Sequence, residues 1–220
     1  MSMDAIPTFA TQSTEMRQPD NVVSLQAPVG SPYPKELESD IVFDENRTLK
    51  LRPIRGNDEE KLLSFHELLS ADSIYCRYFS FHPKLSRDEV HHLTHVDYTN
   101  RLALVIEDGD ELVGVARYDQ YPGTSAAEVA FVVRDDYQHL GLGHRLFASL
   151  AAAAWPRGVT VFSAVTLCRN HGMTSVFRHS GFPMTSSVSA GEISVRLSIK
   201  PQFESLLPSG ATVVRGGTCF

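Results

Sequence analysis

Glu128 and the stretch Gln138-x-x-Gly141-x-Gly143 are residues whose types and spacing could do chemistry together. Glycines at a strand-to-helix junction let the backbone approach a bound group, and the first N–H groups of the following helix have no partner inside it. Those free donors, with the positive end of the helix dipole, make an anion cradle that suits a diphosphate and needs no lysine. A carboxylate on the strand just upstream can accept a proton. A diphosphate cradle beside a base suggests acyl transfer from a CoA thioester. His144 or Arg145 could add positive charge at the cradle. The plainer alternative is a glycine-rich turn beside a surface carboxylate.

The elements that must position these groups are readable from periodicity. Leu49, Leu51 and Ile54 mark a first strand from Thr48. Asn57 or Asp58 caps a helix carrying Leu62, Leu63, Phe65 and Leu68 or Leu69 at helical spacing. A short helix over Ala71 to Tyr78 follows, and Ser86-x-x-Glu89 is a capping box opening a third, to about Thr94. Leu102, Leu104 and Ile106, alternating with Ala103 and Val105, read as a buried strand that Asp108-Gly109-Asp110 turns back into Leu112 to Arg117. Pro122-Gly123 precedes the strand of Glu128, where Val129, Phe131 and Val133 alternate. Leu142, Leu146 and Leu150 lie one turn apart on the helix opened by Gly141, which Arg157-Gly158 ends. An apolar strand over Val159 to Leu167, a short helix over Met173 to His179 closed by Gly181, and a strand with Ile193, Val195 and Leu197 complete the pattern. This order gives an α/β (mixed α+β) fold, a mixed sheet with helices on both faces, rather than an alternating doubly wound one.

The chain of 220 residues can bury a full core, with 42% apolar and 21% charged residues. No apolar run approaches the ~20 residues that span a bilayer, and the polar N-terminus lacks the apolar segment of a secretory signal. Three scattered cysteines, Cys76, Cys168 and Cys219, argue against a disulfide framework and for a reducing, cytoplasmic setting. Eight acidic and three basic residues precede Thr48, so −5 of the formal net charge of −6 belongs to that segment. The nearly neutral body argues against nucleic-acid binding. Prolines at 7, 19, 28, 32 and 34 without apolar periodicity indicate a disordered acidic leader over 1–46, a domain over 47–200 and a flexible tail over 201–220.

On these motifs the chain resembles the GNAT-superfamily N-acetyltransferases from about Thr48 to Ile199. Gln138-His139-Leu140-Gly141-Leu142-Gly143 matches that superfamily's pyrophosphate signature. Asn170, with Met173, Phe177 and Gly181-Phe182, matches its second CoA-contacting segment. A narrower resemblance is to the bacterial Pat-type protein lysine acetyltransferases. It rests on Leu51 to Arg55, Tyr75 to Phe79, Leu93 to Tyr98, Val113 to Tyr118 and Ala127 to Val133. The resemblance implies a mostly antiparallel central sheet, acetyl-CoA as co-substrate, and an acceptor lysine on a protein, possibly an acyl-CoA synthetase. It implies Glu128 as general base, direct or through a water, and CoA contacts from Phe131, Val132, Val133, Gln138 through Gly143 and Asn170. It also implies a bulge breaking the strand of Glu128, with the opened N–H groups meeting pantetheine and the acetyl carbonyl. Asn170 reads equally as a plain turn residue. Many such proteins carry a regulatory sensor domain, for which this length leaves no room.

Phe177 stands where many superfamily members have a tyrosine that protonates the leaving thiolate. Water, Ser175, Ser180 or Tyr137 are the substitutes. His91-His92-x-x-His95 has metal-like spacing, but without a nearby carboxylate or cysteine ligand it reads as packing and helix-end chemistry, and no metal is expected. Cys168 is expected to be a buried strand-end thiol, since direct transfer needs no acyl-enzyme. Arg77, Arg101 and Arg117 could form salt bridges or face an acidic partner. Two rival functions stand beside lysine acetylation: acetylation of a small amine, and a non-catalytic acetyl-CoA-binding interaction module. Neither nucleic acid nor membrane is an expected partner.

Overall fold

The computed structural model describes residues 31–80 and 84–200. The leader expected over 1–46 lies outside the described residues through residue 30, as do the tail expected over 201–220 and Cys219. Residues 31–46 of that segment are described, and part of them pairs with the sheet. Strand β1 (Ser39–Val42) pairs antiparallel with β2 (Thr48–Pro53), in register from Ser39↔Leu51 to Val42↔Thr48. Leu37, Ile41 and Phe43 pack against the core. A four-residue edge strand among acidic and proline residues carries too little alternation to be read in advance.

After β2 come three helices, α1 (Glu59–Glu67), α2 (Ala71–Tyr78) and α3 (Arg87–Thr94). Strands β3 (Arg101–Asp108), β4 (Glu111–Gln120) and β5 (Ala126–Val133) precede helix α4 (Leu142–Ala154). Strand β6 (Val161–Leu167), helix α5 (His171–Arg178) and strands β7 (Met184–Ser189) and β8 (Glu192–Ser198) end the described chain. One eight-stranded sheet runs β1-β2-β3-β4-β5-β6-β8-β7. Every neighbouring pair is antiparallel except β5 and β6, which are parallel.

The alternation of β3 divides the core. Leu102, Leu104 and Ile106 join α4 and α5 on one face, while Ala103 and Val105 join α1 and α3 on the other. Leu146, Phe147 and Leu150 of α4 are fully buried, each contributing ~2–3 kcal/mol through lost apolar surface. Beneath α1, the buried Arg52 guanidinium donates to both Asp58 oxygens, at 2.7 and 2.8 Å, and to Glu107, which Lys61 also reaches at 3.0 Å.

The break expected in the strand of Glu128 lies elsewhere. The β4–β5 register is continuous from Gly114↔Val133 to Gln120↔Ala127, and the register shift falls between β3 and β4 at Ile106/Glu107. What opens β5 is its other neighbour. β6 pairs with β5 only over Ala126↔Val161, Ala127↔Phe162 and Glu128↔Ser163, and then parts from it. The edge of β5 beyond Glu128 therefore faces a cleft rather than a strand. A splay between parallel strands exposes the same backbone groups that a bulge would.

Candidate active site

The cradle forms where β5 turns into α4. His139 and Gly141 both adopt left-handed backbone, at φ +61° and +83°. Such residues curl successive amides around a concavity that favours anions. Gly141 is the N-cap of α4 and no side chain caps that helix, so its first N–H groups stay open. A Cβ on Gly141 would meet nothing within 4 Å, so its glycine answers to the positive φ and to a close approach. Gly143 has a different reason. A Cβ there would lie 3.4 Å from Val176 and 3.9 Å from Phe131, so glycine lets α4 sit tightly on α5 and the β5 floor.

The other residues of the signature divide by role. The Gln138 side chain donates to Ser73 Oγ at 3.1 Å and to the Val133 carbonyl at 3.0 Å. It braces the loop, and the Gln138 N–H donates to the Asp135 carbonyl at 3.3 Å, so Gln138 serves the cradle by shaping it. Leu142 is buried in the core and Leu140 is half exposed. Neither side chain lines the cleft, so both can serve it only through main chain. Asn170 lines the cleft and its Oδ1 accepts the Met173 N–H at 3.0 Å, capping α5. The turn reading and the cleft reading of Asn170 thus describe one residue.

The cleft has a volume of about 630 Å³ and is lined by Glu128 through Val133, the cradle, and α5 from His171 to Val176. That size suits an extended small molecule. Phe131 forms its floor, with ring centroids 5.7 Å from Phe177 and 6.0 Å from Phe147. Glu128 sits where β5 and β6 part, on the opposite side of β5 from Phe131, and is exposed. Among the described residues no hydrogen bond or ion pair engages its carboxylate. The other acidic groups nearby are committed. Asp72 pairs with Arg169 at 3.2 Å, and Asp119, directly across from Glu128 on β4, pairs with Arg101 at 2.8 Å.

Helix α2 supplies a wall of the cleft that sequence reasoning did not place there. Asp72, Ser73, Cys76 and Arg77 all line the cleft. Their i, i+1, i+4, i+5 spacing was the available signal, but a mixed polar face reads equally as a solvated one. The helix has no fully buried residue; Ile74 and Tyr78 pack half-buried against the core, and polar contacts fix its start. Asp135 accepts the Ser70 N–H, the Ser70 hydroxyl and the Ser73 hydroxyl at 2.9, 2.6 and 2.9 Å. Burial opposes the Asp135 anion, but these hydrogen bonds prevail and hold it below the usual carboxylate range. Arg169, from the opposite wall, lies 4.9 Å over the Tyr75 ring as well as beside Asp72.

Several further expectations are resolved by position. Cys168 is exposed rather than buried, because it lies one residue past the end of β6. Cys76 lines the cleft, where burial first and the Asp72 charge second raise its thiol, keeping it protonated. Phe177 is buried beneath the cleft floor. Of its proposed substitutes, Tyr137 and Ser175 both line the cleft, Tyr137 with its hydroxyl donated to Asp108 at 2.7 Å, while Ser180 donates to the Phe177 carbonyl at 2.7 Å. Arg77 also lines the cleft, whereas Arg117 is buried, donates to the Leu93 carbonyl at 2.7 Å and is pushed down to about 10 by burial and Arg77. The premise for setting aside His91 and His95 fails. Glu59, distant in sequence, is brought to within 3.1 Å of His91.

Residues 65–182 match the acetyltransferase (GNAT) family, and the chain belongs to it. Acetyltransferase Pat of Mycolicibacterium smegmatis is 32% identical over 134 residues, 60% of this chain and 40% of that protein. This chain therefore spans less than half the length of that relative. The GNAT domain of S. lividans PAT superposes with a TM-score of 0.70 at 34% identity, over 76% of this chain and 99% of that one. At the level of fold alone, yncA from Salmonella typhimurium, solved with its cofactor acetyl-CoA, superposes with a TM-score of 0.57 at 16% identity. It covers 74% of this chain and 98% of that one. Among the described residues no helix is long and apolar enough to cross a membrane.

Proposed function

We propose that this protein transfers the acetyl group of acetyl-CoA to lysine ε-amines of proteins, with the transferase domain running from the strand at Ser39 to about Ile199. One observation carries the reading: an unpaired carboxylate, Glu128, stands in the cleft where β5 and β6 part, one strand upstream of an uncapped helix N-terminus. The cleft fits the co-substrate by volume and by its anion-seeking end. Acetyl-CoA supplies the activated thioester. The amides that follow Gln138, through Gly143, hold its diphosphate, and the open edge of β5 offers N–H donors to the acetyl carbonyl. Phe131 over Phe177 provides a dry floor for the pantetheine arm.

Lysine at neutral pH is an ammonium without a lone pair, so Glu128 takes one proton, directly or through a water, before the amine nitrogen bonds to the acetyl carbon, and the second N–H proton passes to water as the tetrahedral intermediate collapses. The C–S bond breaks and the thiolate leaves with a proton from water or from Ser175. Cys76 as a protonated thiol agrees with direct transfer and no acyl-enzyme. A protein acceptor is favoured over a small polyamine because Asp72 and Asp119 are each tied to an arginine, leaving Glu128 as the one uncommitted carboxylate among the described residues lining the cleft. A small polycation would need further free anions to fix it.

The test is mass spectrometry of acyl-CoA synthetases incubated with the protein and acetyl-CoA. Lysine acetylation dependent on active protein supports the reading. Acetylation confined to free amines in the same mixture replaces it with the small-molecule one.

A further inference from the structure

We propose that Glu59, His91 and His95 form a three-ligand site for a divalent transition-metal ion of the zinc type, at the junction of α1 and α3. None of the three lines the cleft, so the site is separate from the acetyl-transfer chemistry. Glu59 lies in the first turn of α1, His91 in the last turn of α3, and His95 is that helix's C-cap. The i, i+4 spacing puts the two imidazoles one turn apart on the same side of α3. Their rings stack with centroids 3.7 Å apart. Glu59 Oε1 lies 3.1 Å from His91 Nδ1 and 3.6 Å from His95 Nδ1. One ligand atom from each residue falls within 4.8 Å of the others.

Two imidazoles and a carboxylate are donors that zinc-type ions accept at ~2.0–2.2 Å, with water completing the shell. His95 is already set for that role. Its Nδ1 lies 3.1 Å from both the His91 carbonyl and Thr94 Oγ1, and in the tautomer that donates to the carbonyl the Nε2 lone pair is the one left for an ion. This is the arrangement that orients metal-bound histidines through their second nitrogen. Gly56 packs against the ring at Nε2, where a Cβ would come within 2.8 Å, so glycine holds the ring without crowding it. The His91 and Glu59 side chains are 64% and 42% exposed, free to swing inward. Metal entry replaces their mutual hydrogen bond with a bond from each to the ion. The ion would then fasten the start of α1 to the end of α3, over the core shared by Leu62, Phe65 and Val90.

The experiment is calorimetric titration of the chelator-stripped full chain with Zn²⁺ alone, paired with thermal melts. The proposal expects one ion per chain at micromolar affinity or tighter, and a rise in melting temperature that chelator reverses. His91→Ala and His95→Ala remove that binding event, and Glu59→Gln weakens it by about tenfold or more. The positions are at the surface, and circular dichroism checks that each variant folds. Absence of stoichiometric uptake at millimolar Zn²⁺ overturns the site. Undiminished binding in His91→Ala overturns it by placing the ion elsewhere. Equal affinity in Glu59→Gln overturns the three-ligand assignment, leaving only a two-histidine chelate.

Discussion

Replacing Glu128 with Gln removes the proposed base while keeping the side chain's length and its place at the mouth of the β5–β6 splay. Loss of a positioned general base lowers turnover by ~10²–10⁴-fold, equivalent to ~3–5 kcal/mol of transition-state stabilisation. The expectation lies toward the upper part of that range, because the carboxylates near Glu128 among the described residues are already paired. Asp119 across the strand is held by Arg101 and Asp72 by Arg169. With no base, the reaction depends on amine that has already lost its proton, about 1 in 2,500 lysines at neutral pH. The variant's rate should therefore climb about tenfold per pH unit toward the lysine pKa near ~10.4, while the wild type is far flatter there. Initial rates against pH, on a lysine-containing acceptor at saturating acetyl-CoA, read both effects. Affinity for acetyl-CoA should not change. A Glu128→Gln enzyme that is folded and within threefold of wild-type rate at neutral pH would refute the assignment of the base.

Gly141→Val forces a β-branched residue to φ +83° at the cradle, a strain of ~1–2 kcal/mol, and should raise the acetyl-CoA KM well beyond its effect on kcat. Steady-state kinetics with varied acetyl-CoA separate the two. Asp135→Ala removes the three hydrogen bonds that hold the start of α2, so amide exchange over residues 70–79 should accelerate while exchange in β3 and β4 stays slow. Glu107 is held at about 2, where burial opposes the anion but the Arg52 and Lys61 contacts outweigh it. A carboxyl lowered from its reference value of 4.5 contributes its full stabilisation above that value and loses it as pH falls through about 2. Wild-type melting temperature should therefore drop across that window. Glu107→Gln, which leaves Arg52 with Asp58 as its remaining carboxylate partner, should cost ~1–3 kcal/mol at neutral pH and flatten the acid limb.

Much of the molecule is legible where local rules act alone. The Ser86–Glu89 capping box closes as the sequence implies, with the Ser86 N–H donating to Glu89 at 2.7 Å, and α2 and α3 span Ala71–Tyr78 and Arg87–Thr94. The alternation of β3 assigns its residues correctly to two cores. Edge strands resist such reading. Every residue of β7 is exposed, so Met184–Ser189 shows no alternation, and β1 hides among prolines and acids. Asp58 was one of two expected helix caps, but its side chain serves Arg52 and the Arg55 N–H instead, a pairing that depends on β2. The site divides along the same line. Cradle and base lie within sixteen residues of one another and announce themselves. The splay that opens β5, the α2 wall and the approach of Glu59 to His91 arise from long-range pairing that no local pattern encodes.

The most direct measurement of the central claim is calorimetric titration of acetyl-CoA into the wild-type protein and into Gly141→Val. The account expects one molecule bound per wild-type chain and at least tenfold weaker binding in the variant, about 1.4 kcal/mol or more. No binding to folded wild-type protein, or equal affinity in the two, would contradict it.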